Sequence, residues 1–409
     1  MSLTPDRLAT LRTVYRDGLL DNVIPFWLRH GLDREHGGLL TCLDRDGTVI
    51  DTDKAVWLQG RAAWTFATLH RTVEPRPEWL DAARSCVDFL RRHCRAPDGK
   101  LYFTVTRDGR PLRMRRYVYS ESFAAIGSAV FAATAGDARA ATEAAGYFET
   151  YLRHSFTPGV MPPKTDPSTR PSQGIAAHMI AIATAQEIRT ALGDLAIAGA
   201  TCTQWIDRSI ARIERDFYKP EDGALLETAG PDGQVLDHFD GRTLNPGHAI
   251  ECAWFVLHEA KYRGRDPRLV KLGLGILDAM WARGWDSEFG GLLYVTDLKG
   301  LPVQEYWAEM KFWWPHNEAV IATLLAWQLT GDVKYAAWHR LVHEWSHRVF
   351  PDPEHGEWFG YAHRDGRIST QLKGNFWKGP FHVPRMQWYC WRLVEEILKT
   401  TTGSHTRDT

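Results

Sequence analysis

One pattern recurs along the chain and constrains its fold more than any other feature. An acidic or histidine residue and a glycine precede a short apolar-aromatic run that ends at Asp-Gly or Lys-Gly. It is seen in REHGGLLTCLDRDGTVI from Arg34, APDGKLYFTVTRDGRPL from Ala96 and PEDGALLETAGPDGQVL from Pro220. It returns in SEFGGLLYVTDLKGLPV from Ser287 and PEHGEWFGYAHRDGRIS from Pro353. Each copy predicts a short β-hairpin, opened by glycine, carried by alternation and closed by a Gly-bearing turn. The opening glycines are Gly37, Gly99, Gly223, Gly290 and Gly356. The step from Gly99 to Gly223 is double. A degenerate copy is therefore expected near Gly159, in the Pro-rich HSFTPGVMPPKTDPSTRP. The chain reads as six units of about 60–67 residues.

Between the hairpins lie pairs of segments with apolar residues at three- and four-residue spacing. TDKAVWLQGRAAWTFATLHR and PEWLDAARSCVDFLRRHC follow Gly37, and GHAIECAWFVLHEAKYR and DPRLVKLGLGILDAMWARG follow Gly223. KFWWPHNEAVIATLLAWQLTG and VKYAAWHRLVHEWSHRVF follow Gly290. With a first helix near Pro5 and a last one from about His382, the total is twelve helices, two per unit. Six pairs without a polar capping repeat predict an all-α ring, an (α/α)₆ barrel with short hairpins between helix pairs, rather than an open solenoid. The more apolar helix after each hairpin should form the inner ring, all inner helices starting at one end. Residues 1–400 are then one catalytic domain, and 401–409 a disordered tail.

Composition agrees with a globular enzyme. Of 409 residues, 44% are apolar and 24% charged, and the net charge of −1 leaves no basic field for nucleic acid. MSLTPDRLAT has no signal-peptide character, and no run of 18 apolar residues predicts a membrane span, so a cytoplasmic protein is expected. The six cysteines are scattered, without a CxxC pair, and read as free thiols. The 18 tryptophans mildly favour a carbohydrate ligand.

Unusual polar residues fall near the inner-helix starts: Trp57 and Arg61, then Tyr119 and Glu121, then His178. His248 and Glu251, His316 and Glu318, and His382 with Arg385 complete the set. The repeat predicts that they ring one cavity, suited to a neutral polyol. Alone, each has an ordinary explanation. His248 follows Gly247 and could be a helix cap, while His178 in IAAHMIAIA could be a core residue. Arg61 in an apolar helix needs either an ion-pair partner or a ligand. His316 and Glu318 are two apart and point in different directions, and Glu318 is the one expected in the cavity. HEWSH at His343, Glu344 and His347 matches a zincin motif, but it lies on an expected outer helix and reads as a packing face. No compact ligand spacing supports a metal site. The chain has no GxxxxGK[ST] and no GxSxG.

WLQGRAAW (57–64), NPGHAIECAWF (245–255), KFWWPHNEAVIATLLA (311–326), DPEHGEWFGYAHRDG (352–366) and KGNFWKGPFHVPR (373–385) carry a resemblance to a known family. The chain resembles the N-acyl-D-glucosamine 2-epimerases, also called renin-binding protein in mammals, with cellobiose 2-epimerase and mannose isomerase as relatives. The resemblance implies an (α/α)₆ barrel, with His248 and His382 as the catalytic pair and Arg61, Trp57, Tyr119, Glu251 and Glu318 at the sugar. His178 departs from the N-acylglucosamine pattern; a histidine here is similar to the isomerase and disaccharide-epimerase branches, and it too is expected at the sugar. It further implies a homodimer and ATP as an activator that is not consumed.

The residue types suit the chemistry. Epimerisation at C2 of an open-chain sugar removes a proton made acidic by the C1 aldehyde and returns one to the opposite face. Two histidines can serve as base and acid near neutral pH, with no consumed cofactor. Arg61 could hold the enediolate oxygen. An aldose–ketose isomerase acting on mannose-type sugars would need only one shuttling base, and a cellobiose-type 2-epimerase is the other alternative. A glycoside hydrolase would need two opposed carboxylates instead.

Overall fold

The computed structural model describes residues 3–404. Thr4 caps the first helix, α1 (Pro5–Asp17), which runs through a π-helical turn (Gly18–Val23) into α2 (Ile24–His30). There follow α3 (Val56–Thr72), α4 (Pro77–His93), α5 (Tyr119–Ala135), α6 (Ala138–Phe156), α7 (Ala176–Leu192) and α8 (Cys202–Arg212). After a short α9 (Phe239–Arg242) come α10 (Pro246–Tyr262), α11 (Pro267–Gly284), α12 (Trp313–Thr330), α13 (Val333–Val349) and α14 (His382–Ser404). The expected tail at 401–409 lies outside the described residues, apart from four that continue α14.

Helices α3, α5, α7, α10, α12 and α14 touch in that order and form the inner ring. The ring closes where Trp388 Nε1 of α14 donates to Thr72 Oγ1 of α3 at 2.9 Å, with Trp64 edge-on to Phe381 and Trp388. Behind α3, α5, α7, α10 and α12 stand α4, α6, α8, α11 and α13, and α1 stands behind α14. This is the expected (α/α)₆ barrel. Burial follows from the two-layer arrangement. α12 is buried on nearly every side along Trp313–Ala326, whereas α4 buries one stripe that includes Trp79, Cys86 and Leu90.

Close backbone approach tightens one side of the ring. A Cβ on Gly60 would lie 2.3 Å from the Phe123 carbonyl, and one on Gly127 would lie 2.4 Å from the Gly60 oxygen. Neither neighbour is a flexible side-chain end, so α3 and α5 would have to separate. Gly60→Ala is expected to cost at least about 1–3 kcal/mol. Denaturant unfolding reads this as a lower midpoint, and an unchanged midpoint would refute the backbone contact.

The hairpins form a crown at the end where the inner helices start. All six expected opening glycines, Gly159 included, have left-handed φ between 56° and 86°. The residues before an inner helix pair with the hairpin of the next unit. Lys54–Ala55 pairs with Thr104–Val105, Gln173–Gly174 with Thr228–Ala229, Thr243–Leu244 with Thr296–Asp297, and Lys311–Phe312 with Tyr361–Ala362. The last unit joins the first through Lys373 N–H and Leu43 O at 3.0 Å. The exception is the third unit. Its Pro-rich segment forms no hairpin of its own, because prolines at 158, 162, 163, 167 and 171 remove ladder donors. A large cavity occupies that place.

Buried lysines tie three of the units together. Lys54 Nζ lies 2.8 Å from Asp33, Lys311 Nζ 2.9 Å from Asp286, and Lys373 Nζ 2.9 Å from Asp352. Each aspartate also takes an arginine from the next hairpin's Arg-Asp-Gly turn: Arg107, Arg364 and Arg45, respectively. Burial opposes ionisation, yet these cations hold all three carboxyls well below the ordinary range. The third tie joins residues 45 and 352 and so locks the first unit to the last.

Candidate active site

Asn245 caps α10 and accepts the His248 N–H at 3.0 Å, which fixes this histidine in the first helical turn. Its Nδ1 lies 3.2 Å from both carboxylate oxygens of Glu227. The ring faces Trp314 at 5.0 Å. The barrel wall alone would lower its pKa, but Glu227, helped by Glu251, overrides this and raises it. His248 therefore binds a proton more tightly than a free imidazole.

His382 opens α14. Its Nδ1 meets Glu318 Oε1 at 2.7 Å, and its ring lies 5.9 Å from the same Trp314. One indole thus touches both histidines. Glu318 is fully buried and heavily satisfied: Arg385 lies 2.7 Å from its Oε1, and Trp254 Nε1 donates to Oε2 at 2.7 Å. Arg385 also bonds Glu251 at 2.7 Å. Burial, followed by the Arg61 and Arg385 charges, drives the His382 pKa well below its ordinary value. His382 is the neutral partner. With Nδ1–H given to Glu318, its Nε2 keeps a lone pair free.

Arg61 is packed among the rings of Trp57, Phe123 and Phe381 at 4.8, 4.0 and 4.9 Å. Its Nε is buried with no protein hydrogen-bond partner. Trp57 spends its indole N–H on Phe376 O at 2.8 Å and offers only its ring. Glu251, Glu318 and His382 present donor atoms within 4.8 Å of one another, but Arg385 already binds both carboxylates. Charge balance here comes from guanidinium groups.

Other residues expected at the ring have structural tasks. His316 Nε2 accepts the Leu292 N–H at 2.9 Å, two residues beyond Gly290, and its Nδ1 faces Phe312 O. Glu121 accepts from Leu101 N–H, two beyond Gly99, and Gln59 accepts from Leu39 N–H, two beyond Gly37. The same place in three inner helices therefore anchors a hairpin, and Glu318 rather than His316 reaches the site. HEWSH packs inward from outer helix α13, with His343 Nδ1 2.9 Å from Tyr15 OH.

Tyr119 and His178 line the adjoining cavity of about 1470 Å³, together with Glu227, Arg116, Arg170 and Arg208. His178 packs on Phe156 at 5.0 Å and leaves Nδ1 unpartnered.

Residues 38–382 match the N-acylglucosamine 2-epimerase (GlcNAc 2-epimerase) family. N-acylglucosamine 2-epimerase of Bos taurus is 39% identical over 392 residues, covering 93% of this chain and 89% of the bovine one. The chain belongs to the N-acylglucosamine 2-epimerase family. Cellobiose 2-epimerase of Bacteroides fragilis is 26% identical, covering 92% and 97% of the two chains. The crystal structure of cellobiose 2-epimerase from Spirochaeta thermophila superposes with a TM-score of 0.81 at 21% identity, covering 97% and 99%, and so shares the fold. For this member of the epimerase family, sequence reasoning did not single out Trp314 as a site residue, nor did it single out Glu227. Glu227 sits on a hairpin arm, outside the inner-helix starts that the repeat singled out.

Proposed function

We propose that the enzyme interconverts N-acyl-D-glucosamine and N-acyl-D-mannosamine, with His382 and His248 as the acid–base pair at C2 of the open-chain sugar. The observation that carries this is the pair of histidines beside Trp314, each with Nδ1 on a carboxylate, His382 on Glu318 at 2.7 Å and His248 on Glu227 at 3.2 Å. Burial, then the Arg61 and Arg385 charges, lowers the pKa of the first, and Glu227 raises that of the second against burial. An epimerase that removes a proton from one face and delivers another to the opposite face needs such a pair. His382 Nε2 takes the C2 proton, and the electron pair moves into the C1–C2 bond. The carbonyl π pair moves onto O1, and Arg61 stabilises the resulting enolate oxygen, C2 carrying the N-acylamino group. His248 returns a proton to the other face, and the reverse reaction exchanges the roles. Trp57 and Glu251 are the further sugar contacts, Glu318 acts through His382, and Tyr119 and His178 serve the sugar from the wall of the adjoining cavity.

Residues 1–400 act as one catalytic domain, and the enzyme is a cytoplasmic homodimer. The six buried free thiols support a reducing compartment. No helix among the described residues is long and apolar enough to cross a membrane. ATP, implied by family resemblance, fits the adjoining cavity. Lys164, Arg170 and Arg208 line it, and among the described residues none of them is ion-paired. ATP contributes only binding energy and charge there, and C2 chemistry stays with the histidines.

The test is an NMR time course in D₂O with N-acetylglucosamine, N-acetylmannosamine and mannose in separate tubes, with and without ATP. The expected result is interconversion of the first two, with one deuterium entering C2 and a faster rate with ATP. Conversion of mannose to fructose without epimerisation of either N-acyl sugar would overturn the reading.

A further inference from the structure

The two histidines differ in how their carboxylate partners are compensated. Glu318, beside His382, is neutralised by Arg385 at 2.7 Å. Glu227, beside His248, has among the described residues no ion-pair partner except His248 itself. Its backbone is pinned on three sides. Leu226 N–H donates to Phe217 O at 3.0 Å, Glu227 O accepts from Ile175 N–H at 3.1 Å, and Thr228 pairs with Gly174. The carboxylate is thus delivered rigidly to a histidine that the Asn245 cap also holds in place.

We infer that Glu227 is a positioning residue that orients His248 through Nδ1 and assigns it the acid's role against His382. This rests on His248 being a catalytic group. The charged and titratable groups around His248 are Glu227 from the hairpin arm, Glu251 on its own helix and His382 from α14, with Tyr119 and Tyr294 beside Glu227. Only Glu227 bonds the His248 ring. The Nδ1 contact leaves Nε2 directed at substrate and fixes the tautomer once the proton is given up.

The pair is active when it holds one proton. The acid limb of kcat/KM then marks protonation of neutral His382, and the alkaline limb marks proton loss from His248. Removing the Glu227 charge weakens proton binding at His248, so the alkaline limb should move to lower pH. The acid limb should stay in place.

The experiment measures pH profiles of kcat/KM for Glu227→Gln, Glu227→Asp and His248→Asn, with ¹⁵N-histidine NMR titration of the first two. For Glu227→Gln the loss should be small at the acid limb and grow to about tenfold at the alkaline limb. Glu227→Asp, which keeps the charge, should fall between this variant and the parent, and the NMR titration of His248 should shift in step. A uniform loss with both limbs unmoved would show a merely structural role and overturn the inference, as would an unchanged profile. If His248→Asn retains normal epimerisation, the catalytic assignment itself fails. That outcome is distinct from a silent Glu227→Gln beside an inactive His248→Asn.

Discussion

Replacing either His382 or His248 with Asn should remove most epimerase activity, a loss on the order of 10²–10⁴-fold for a missing acid or base. The two losses should differ in kind. In His248→Asn, His382 remains neutral beside Glu318 and Arg385, with Nε2 free. It should still remove the C2 proton of the epimer whose hydrogen faces it and return solvent deuterium to the same face. That epimer's C2 therefore exchanges without turnover. In His382→Asn, exchange should survive only with the opposite epimer, through His248. Proton NMR of each epimer in D₂O reads this directly. Equal loss of exchange with both epimers in both variants would defeat two-base epimerisation. Normal epimerisation by either variant would reduce that histidine to a structural role. Trp314 lies beside both rings, its centroid 5.0 Å from that of His248 and 5.9 Å from that of His382.

The second large effect is expected at Arg385. Its side chain is nearly buried, and its guanidinium binds Glu251 and Glu318 at 2.7 Å each, over the rings of Trp254 and Phe381. Arg385→Met keeps much of the packing but leaves a fully buried Glu318 without its ion-pair partner. Breaking a buried pair from one side costs about 3–5 kcal/mol. Loss of the positive charge also makes the imidazolium form of His382 more favourable. A base that protonates more readily is lost at higher pH, so the acid limb of kcat/KM should move upward. Arg385→Lys restores the charge without the planar fork, and should recover the position of the limb more fully than the stability. Denaturant midpoints and the pH profile together check both parts. A parent-like midpoint and an unmoved limb in Arg385→Met would refute the role given to this arginine.

Much of this was legible in the sequence because the repeat is written in glycine. A left-handed φ has few alternatives to glycine, so Gly37, Gly99, Gly159, Gly223, Gly290 and Gly356 marked the six units even where the third hairpin is lost. Two-residue spacing on one helix separated His316 from Glu318, and an arginine stranded in an apolar helix marked Arg61. Position in the repeat did not by itself separate ligand contacts from anchors. Glu121 and His316 hold hairpin amides, at a place equivalent to Gln59. Glu227 was invisible because the residue that positions a catalytic group need not share its element. The lysine ties did have a signal. An aspartate four residues before the opening glycine, at positions 33, 286 and 352, precedes a lysine some two dozen residues on. The absence of a third hairpin was foreshadowed by proline, but the cavity that fills its place follows only from the ring being closed elsewhere.

That closure bears on how the protein comes apart. In an open array of repeats, each unit depends on two neighbours except at the ends, where fraying starts and spreads inward. Here Arg45 and Asp352, 307 positions apart, bind across what would otherwise be the two ends, beside the contact between Lys373 and Leu43. No end unit remains to fray. The cost is kinetic: the last clasp forms only after nearly the whole chain has been wound, and such distant contacts make folding slow. Once fastened, the ring has no free end from which opening can spread. Its point of least resistance is the gap beside the third unit, where the crown lacks a hairpin and the large cavity meets Glu227.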